Sequence, residues 1–122
     1  MPKGASFDEV VFGLEIEAFG ICIGSIMSTF KFLGIPIKKL NSNEEYFPDM
    51  WNIGVDVSID GGFRFELKTP VLRGMSGIKE LKKVLGLLFD SPKIRVNKTC
   101  GIHVHFDVSN LNGRQIINVY NR

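Results

Sequence analysis

The chain has 122 residues, enough for one domain and too few for two full-sized ones. With 44% hydrophobic and 23% charged residues it can build a core, which excludes long disorder, and a net charge of +2 is too small for the basic field of a nucleic-acid binder. No apolar run approaches the roughly 20 residues of a bilayer span, and Asp8 and Glu9 interrupt any signal-like start. A soluble, cytoplasmic protein with no nucleic-acid or membrane partner is therefore expected, with Cys22 and Cys100 reduced, since they lie far apart and lack a CxxC spacing.

Taken in chain order, Val10 to Phe19 alternates as a strand, with Phe12, Leu14, Ile16 and Ala18 on one face and Gly13, Glu15 and Glu17 on the other. Ile23, Ile26, Met27, Phe30 and Leu33 recur at helical spacing, and Gly34 is a natural helix end. Ile35-Pro36-Ile37 reads as a short edge strand, because Pro36 has no N–H for a central ladder. Asn41 to Asp49 is polar and reads as a loop. Trp51 to Ile59 predicts a strand, Asp60-Gly61 a hairpin turn, and Phe63 to Thr69 the returning strand, stopped by Pro70. On that strand Arg64, Glu66 and Lys68 share a face.

Ser76 is placed to cap a second helix, with Ile78, Leu81, Leu85, Leu88 and Phe89 as its apolar stripe. Lys93 to Val96 predicts a short strand. Ile102 to Val108 is a clear strand, with Ile102, Val104, Phe106 and Val108 opposed to His103, His105 and Asp107. A last helix is predicted from Asn110 or Asn112, with Ile116, Ile117 and Tyr120 on one side. Together these elements predict an α+β fold. Its sheet is mainly antiparallel, with helices packed on one face and a polar, metal-binding face on the other.

Glu15 and Glu17 stand on one strand face roughly 6.6 Å apart at the backbone, a separation at which carboxylates can share hard cations such as Mg²⁺. The competing reading is a solvated strand face. His103 and His105, the only histidines, repeat that geometry with imidazoles, which ligate metals and carry protons near neutral pH. Asp56 is either a turn carboxylate or a ligand, and Arg64 and Lys68 are either cross-strand charge partners or contacts for phosphate and carboxylate groups. Asp60-Gly61-Gly62 lacks the Lys-Ser/Thr of a phosphate loop, so a nucleotide would be held through metal and basic side chains.

The ordered set Phe12-Gly13-Leu14-Glu15-Ile16-Glu17, Trp51 through Asp56-Val57-Ser58, Phe65-Glu66-Leu67-Lys68-Thr69-Pro70-Val71-Leu72 and Cys100-Gly101-Ile102-His103-Val104-His105 resembles the amidoligase family. That family is often carried by phages and mobile elements, and is similar to γ-glutamylcysteine ligase and glutamine synthetase. The resemblance implies an ATP- and Mg²⁺- (or Mn²⁺-) dependent carboxylate–amine ligase, forming an amide from small-molecule or peptide substrates through an acyl phosphate. By the same resemblance Glu15, Glu17, Asp56, Glu66 and His103 are metal ligands, and Glu15, Glu17, Glu66 and His103 serve catalysis. Arg64, Lys68 and His105 are left as cofactor contacts. Thr69 stands where serine is usual before the proline. Family members are about twice as long, so the expectation is a single domain over 1–122 that is either truncated at its C-terminus or has its site completed by another chain, a second copy included. The rival readings are a catalytically incomplete remnant serving as a metal-binding or protein-interaction module, and a Glu/His metallohydrolase.

Overall fold

The structure, a computed structural model, describes residues 10–41, 44–55, 62–108 and 113–120, of which 107–108 and 113–120 are described by their backbone alone. Alternation in the first segment produces strand β1, Val11–Ala18, with Phe12, Ile16 and Ala18 buried on one side. β1 leads into a bend where Gly20 has φ 112°, and a Cβ there would lie 1.9 Å from the Lys93 carbonyl oxygen. Only glycine permits both that backbone and that approach.

Helix α1, Ile23–Phe32, buries Ile26 and Phe30, one turn apart. Gly34, at φ 74°, takes the chain out of the helix as its position predicted, donating its N–H to the Lys31 carbonyl. Strand β2, Ile37–Lys39, sits at a sheet edge and runs parallel to β3, Trp51–Gly54. Strand β4, Phe65–Lys68, is antiparallel to both β3 and β1. A two-residue strand β5, Leu72–Arg73, returns to the start of β1 and leads into helix α2, Gly74–Phe89. Strand β6, Gly101–Val108, flanks the other side of β1, and β7, Gly113–Tyr120, pairs along its whole length. The strand order is β2-β3-β4-β1-β6-β7, with β5 also on β1.

Both helices pack on the apolar face. Ile26 and Phe30 of α1 and Val84 and Leu88 of α2 join Ile16, Trp51, Ile53, Phe65 and Leu67 in one core. Phe30 meets Trp51 edge to face, with ring centroids 5.6 Å apart. Gly77 brings α2 close: a Cβ there would stand 2.9 Å from the Leu72 Cβ and 3.2 Å from the Phe12 ring.

Several expectations change. The sheet is mainly antiparallel as expected, but it is mixed, because β2 joins β3 in parallel. The predicted last helix is strand β7: a short apolar run fits either period, and the open edge of β6 supplies a full ladder of backbone partners. Residues 93–96 form a single bridge, Phe19 to Arg95, rather than a strand. The N-cap of α2 is Arg73, three residues before Ser76, whose hydroxyl donates to the Arg73 carbonyl. The strand predicted from Trp51 to Ile59 is seen as Trp51–Gly54, and its remainder from Asp56, with the Asp60-Gly61 turn, lies outside the described residues. Cys22 and Cys100 are free thiols, Cys100 being buried.

Candidate active site on the polar face of the sheet

Register builds the site around Glu15. On β1 it faces Lys68 of β4 on one side and His103 of β6 on the other, so three chemically different groups lie in one row across three strands. Lys68 Nζ stands 3.5 Å from Glu15 Oε1 and 3.6 Å from Glu66 Oε1, and the ammonium is shared by two carboxylates. His103 Nδ1 is 3.7 Å from Glu15 Oε2. The nearest partner is a diagonal one. His105 faces Gly13, which has no side chain to hold it off, and its Nε2 reaches Glu15 Oε2 at 2.9 Å. Glu17 and Glu66 face each other directly across β1 and β4.

These contacts fix the charge on Glu15. Burial is the largest single influence and favours the protonated form, but the His105 hydrogen bond and the charges of Lys68, His105 and His103 together outweigh it, and the carboxyl titrates below its ordinary 4.5. The same anion, after burial, pushes the Tyr46 phenol above its ordinary value.

A break in the β1–β4–β5 pairing opens the cleft. β4 leaves β1 after Lys68 and β5 rejoins it at Leu72; between them Pro70 has no N–H to continue the ladder. Thr69 covers the gap: its buried hydroxyl accepts the Leu14 N–H at 3.0 Å and donates to the Pro70 carbonyl at 2.8 Å, while its own N–H bonds the Leu14 carbonyl. Beside this excursion lies a cleft of about 490 Å³ whose lining includes Val11, Gly13, Glu15, Lys68, Val71 and His105.

Tyr46 completes that lining. Its hydroxyl donates to the Thr69 carbonyl and its ring faces Lys68 Nζ, 5.9 Å from the centroid. The loop carrying it is tied down by Asn52, which is fully buried. Asn52 Oδ1 accepts the Phe47 N–H at 2.9 Å, and its Nδ2 donates to the Phe47 and Met50 carbonyls at 2.8 and 2.7 Å. A second cleft, of about 440 Å³, lies on the other side of Lys68 and is lined in part by Lys39, Asn41, Glu44, Gly54 and Glu66. Lys68 thus borders two clefts.

The structure brings together Glu15, Glu66, Lys68, His103 and His105, with Glu17 beside Glu66. Arg64 precedes β4 and lines neither cleft, and Asp56 lies outside the described residues. Among the described residues no three carboxylate, imidazole or thiol groups converge on a point that would hold a metal ion. Between Glu15 and Glu66 stands the Lys68 ammonium instead. The described side chains as arranged do not fit a resident metal. Reading the residues in sequence missed Gly13, Tyr46, Thr69 and Asn52 as parts of the site. Two adjacent aromatics, Tyr46 and Phe47, in an otherwise polar loop were the one local signal.

The fold and the site define an α+β protein whose sheet presents a carboxylate–lysine–imidazole row between two clefts. A family model described as "Putative amidoligase enzyme" matches residues 8–122, and the chain belongs to that family, whose name denotes an amide-forming ligase. No curated protein and no solved structure matches it. No helix among the described residues is long and apolar enough to cross a membrane.

Proposed function

We propose that this chain catalyses ATP-dependent joining of a carboxylic acid to an amine, with Glu15, His105 and Lys68 as its working groups. The observation that carries this reading is the convergence of those three side chains where two clefts meet, in a chain of the amidoligase family. A ligase of this kind has two organic substrates to bring together, and a cleft lies on either side of Lys68.

In the proposed reaction a carboxylate oxygen attacks the γ-phosphorus of ATP, giving an acyl phosphate and ADP. The amine nitrogen then attacks the acyl carbon; the C–N bond forms, the C–O bond to phosphate breaks, and inorganic phosphate leaves. Mg²⁺ would enter only as part of the nucleotide substrate, where it would neutralise the charge of the transferring phosphoryl group. Lys68 serves the carboxylate and the transferring phosphoryl oxygens as a positive partner. When His105 donates Nε2–H to Glu15, its Nδ1 keeps a lone pair, and that atom takes the proton the amine loses. Glu15, held anionic, orients the ring and stabilises the imidazolium.

The test is ADP release from Mg-ATP across a panel of carboxylic acids, with hydroxylamine present to trap acyl phosphate as a hydroxamate. Acid-dependent ADP and hydroxamate are expected, with Glu15→Gln and Lys68→Met each slower by roughly 10²-fold or more. Amide hydrolysis without ATP, or no ADP with any acid, would overturn the reading.

A further inference from the structure

We propose that Tyr46 is a positioning residue: its ring holds the Lys68 ammonium on the border between the two clefts, keeping it from closing on either neighbouring carboxylate. That the positioned charge serves phosphoryl transfer rests on the ligase reading; the positioning itself does not.

Lys68 Nζ lies 3.5 Å from Glu15 Oε1 and 3.6 Å from Glu66 Oε1, nearly the same distance from a carboxylate lining the first cleft and one lining the second. Both separations exceed the roughly 2.7–2.9 Å of a closed ammonium–carboxylate hydrogen bond. The long, flexible stem of a lysine could close either gap, so two carboxylates alone would not fix the charge between them. A third attraction comes from the Tyr46 ring, whose centroid is 5.9 Å from Nζ, within the range at which a ring face attracts a cation.

The ring is fixed by the chain neighbours of Lys68 itself. The Tyr46 hydroxyl donates to the carbonyl of Thr69, the next residue, and the Pro48 carbonyl accepts the Val71 N–H at 2.9 Å. On the adjoining strand Asn52 holds Phe47 and Met50, and Asn52 is the residue that faces Lys68 between β3 and β4. Ring and ammonium are thus referenced to the same stretch of sheet.

The same row supplies a control. Lys38, on β2, faces Asn52 from the opposite side, with its Nζ 5.6 Å from the Phe47 ring centroid and 3.8 Å from Glu44 Oε2. Two adjacent aromatics therefore each meet one lysine of a single row, but Lys38 lines neither cleft. Its pairing anchors the loop, whereas that of Lys68 sits where the two clefts meet.

The experiment compares, in the full chain, Tyr46→Phe, which keeps the ring, with Tyr46→Leu, which loses it, and with Lys38→Met. Tyr46 is 37% exposed, so neither change there opens the core. In proton NMR the Lys68 ε-methylene signal, identified by its loss in Lys68→Met, is expected upfield of its position in Tyr46→Leu and little moved in Tyr46→Phe. In acid-dependent ADP release, kcat is expected to fall about tenfold in Tyr46→Leu with KM for the acid unchanged, and to stay within about twofold in Tyr46→Phe and Lys38→Met. A Lys68 signal indifferent to Tyr46→Leu, or a kcat of Tyr46→Leu equal to that of the parent or of Tyr46→Phe, would overturn the inference. The ring-dependent shift without any ADP release would leave the positioning standing and remove the ligase reading; ADP release with no such shift would do the reverse.

Discussion

His105 Nε2 lies 2.9 Å from Glu15 Oε2, joining residues ninety positions apart across two neighbouring strands. The contact is diagonal, passing over Gly13, and it outranks the direct neighbour His103 at 3.7 Å. It also sets a pH signature. Glu15 titrates lower in the folded chain than its ordinary 4.5, so its contribution to stability is complete above that value and is lost as pH falls through the folded pKa. Glu15→Gln should cost about 1 kcal/mol at pH 5.5, a charged hydrogen bond discounted for partial exposure. Urea midpoints of both proteins should converge as pH drops below 4.5; a gap that widens on acidification would contradict this account.

Thr69 allows a cleaner dissection. Its hydroxyl is the partner of the Leu14 N–H where the ladder is broken, and the residue is 1% exposed. Thr69→Val keeps the shape and orphans that N–H, which should cost roughly 1–3 kcal/mol. Thr69→Ser keeps the hydroxyl and should recover most of the loss in thermal denaturation.

Asn52 ties the loop that carries Tyr46. Asn52→Ala removes three hydrogen bonds and leaves a partly buried N–H and two carbonyls to find other partners, for a loss of roughly 2–4 kcal/mol. Hydrogen exchange at the Phe47 amide should quicken well beyond the global destabilisation. Slowed or unchanged exchange there would mean the loop is held by something else.

Two glycines should respond in opposite directions to alanine. Gly20→Ala forces a Cβ against the Lys93 carbonyl at φ 112° and should cost more than roughly 3 kcal/mol. Gly86, inside α2, has nothing within 4 Å of an added Cβ, and Gly86→Ala should stabilise by up to about 1 kcal/mol. Chemical denaturation of the two variants side by side is the check.

Periodicity within the chain was enough to determine β1, α1 with its end at Gly34, the two-residue alternation of β4 and β6, and therefore which side chains share the polar face. These are local properties: a side-chain period of two or 3.6 and the φ preference of glycine act over a few residues. Tertiary structure decided the rest. Ile116, Ile117 and Tyr120 fit a helical stripe as written, and the free edge of β6 turned that segment into β7. The parallel union of β2 with β3 joins segments whose order along the chain carries no mark of direction. At the site, alternation placed Glu15, Lys68, His103 and His105 on one face, but register chose their partners. It set Lys68 between Glu15 and Glu66, and it opposed His105 to the one β1 position without a side chain. A shift of one residue would have sent every one of those groups to the opposite face, and register is a property of strands in contact rather than of any strand alone.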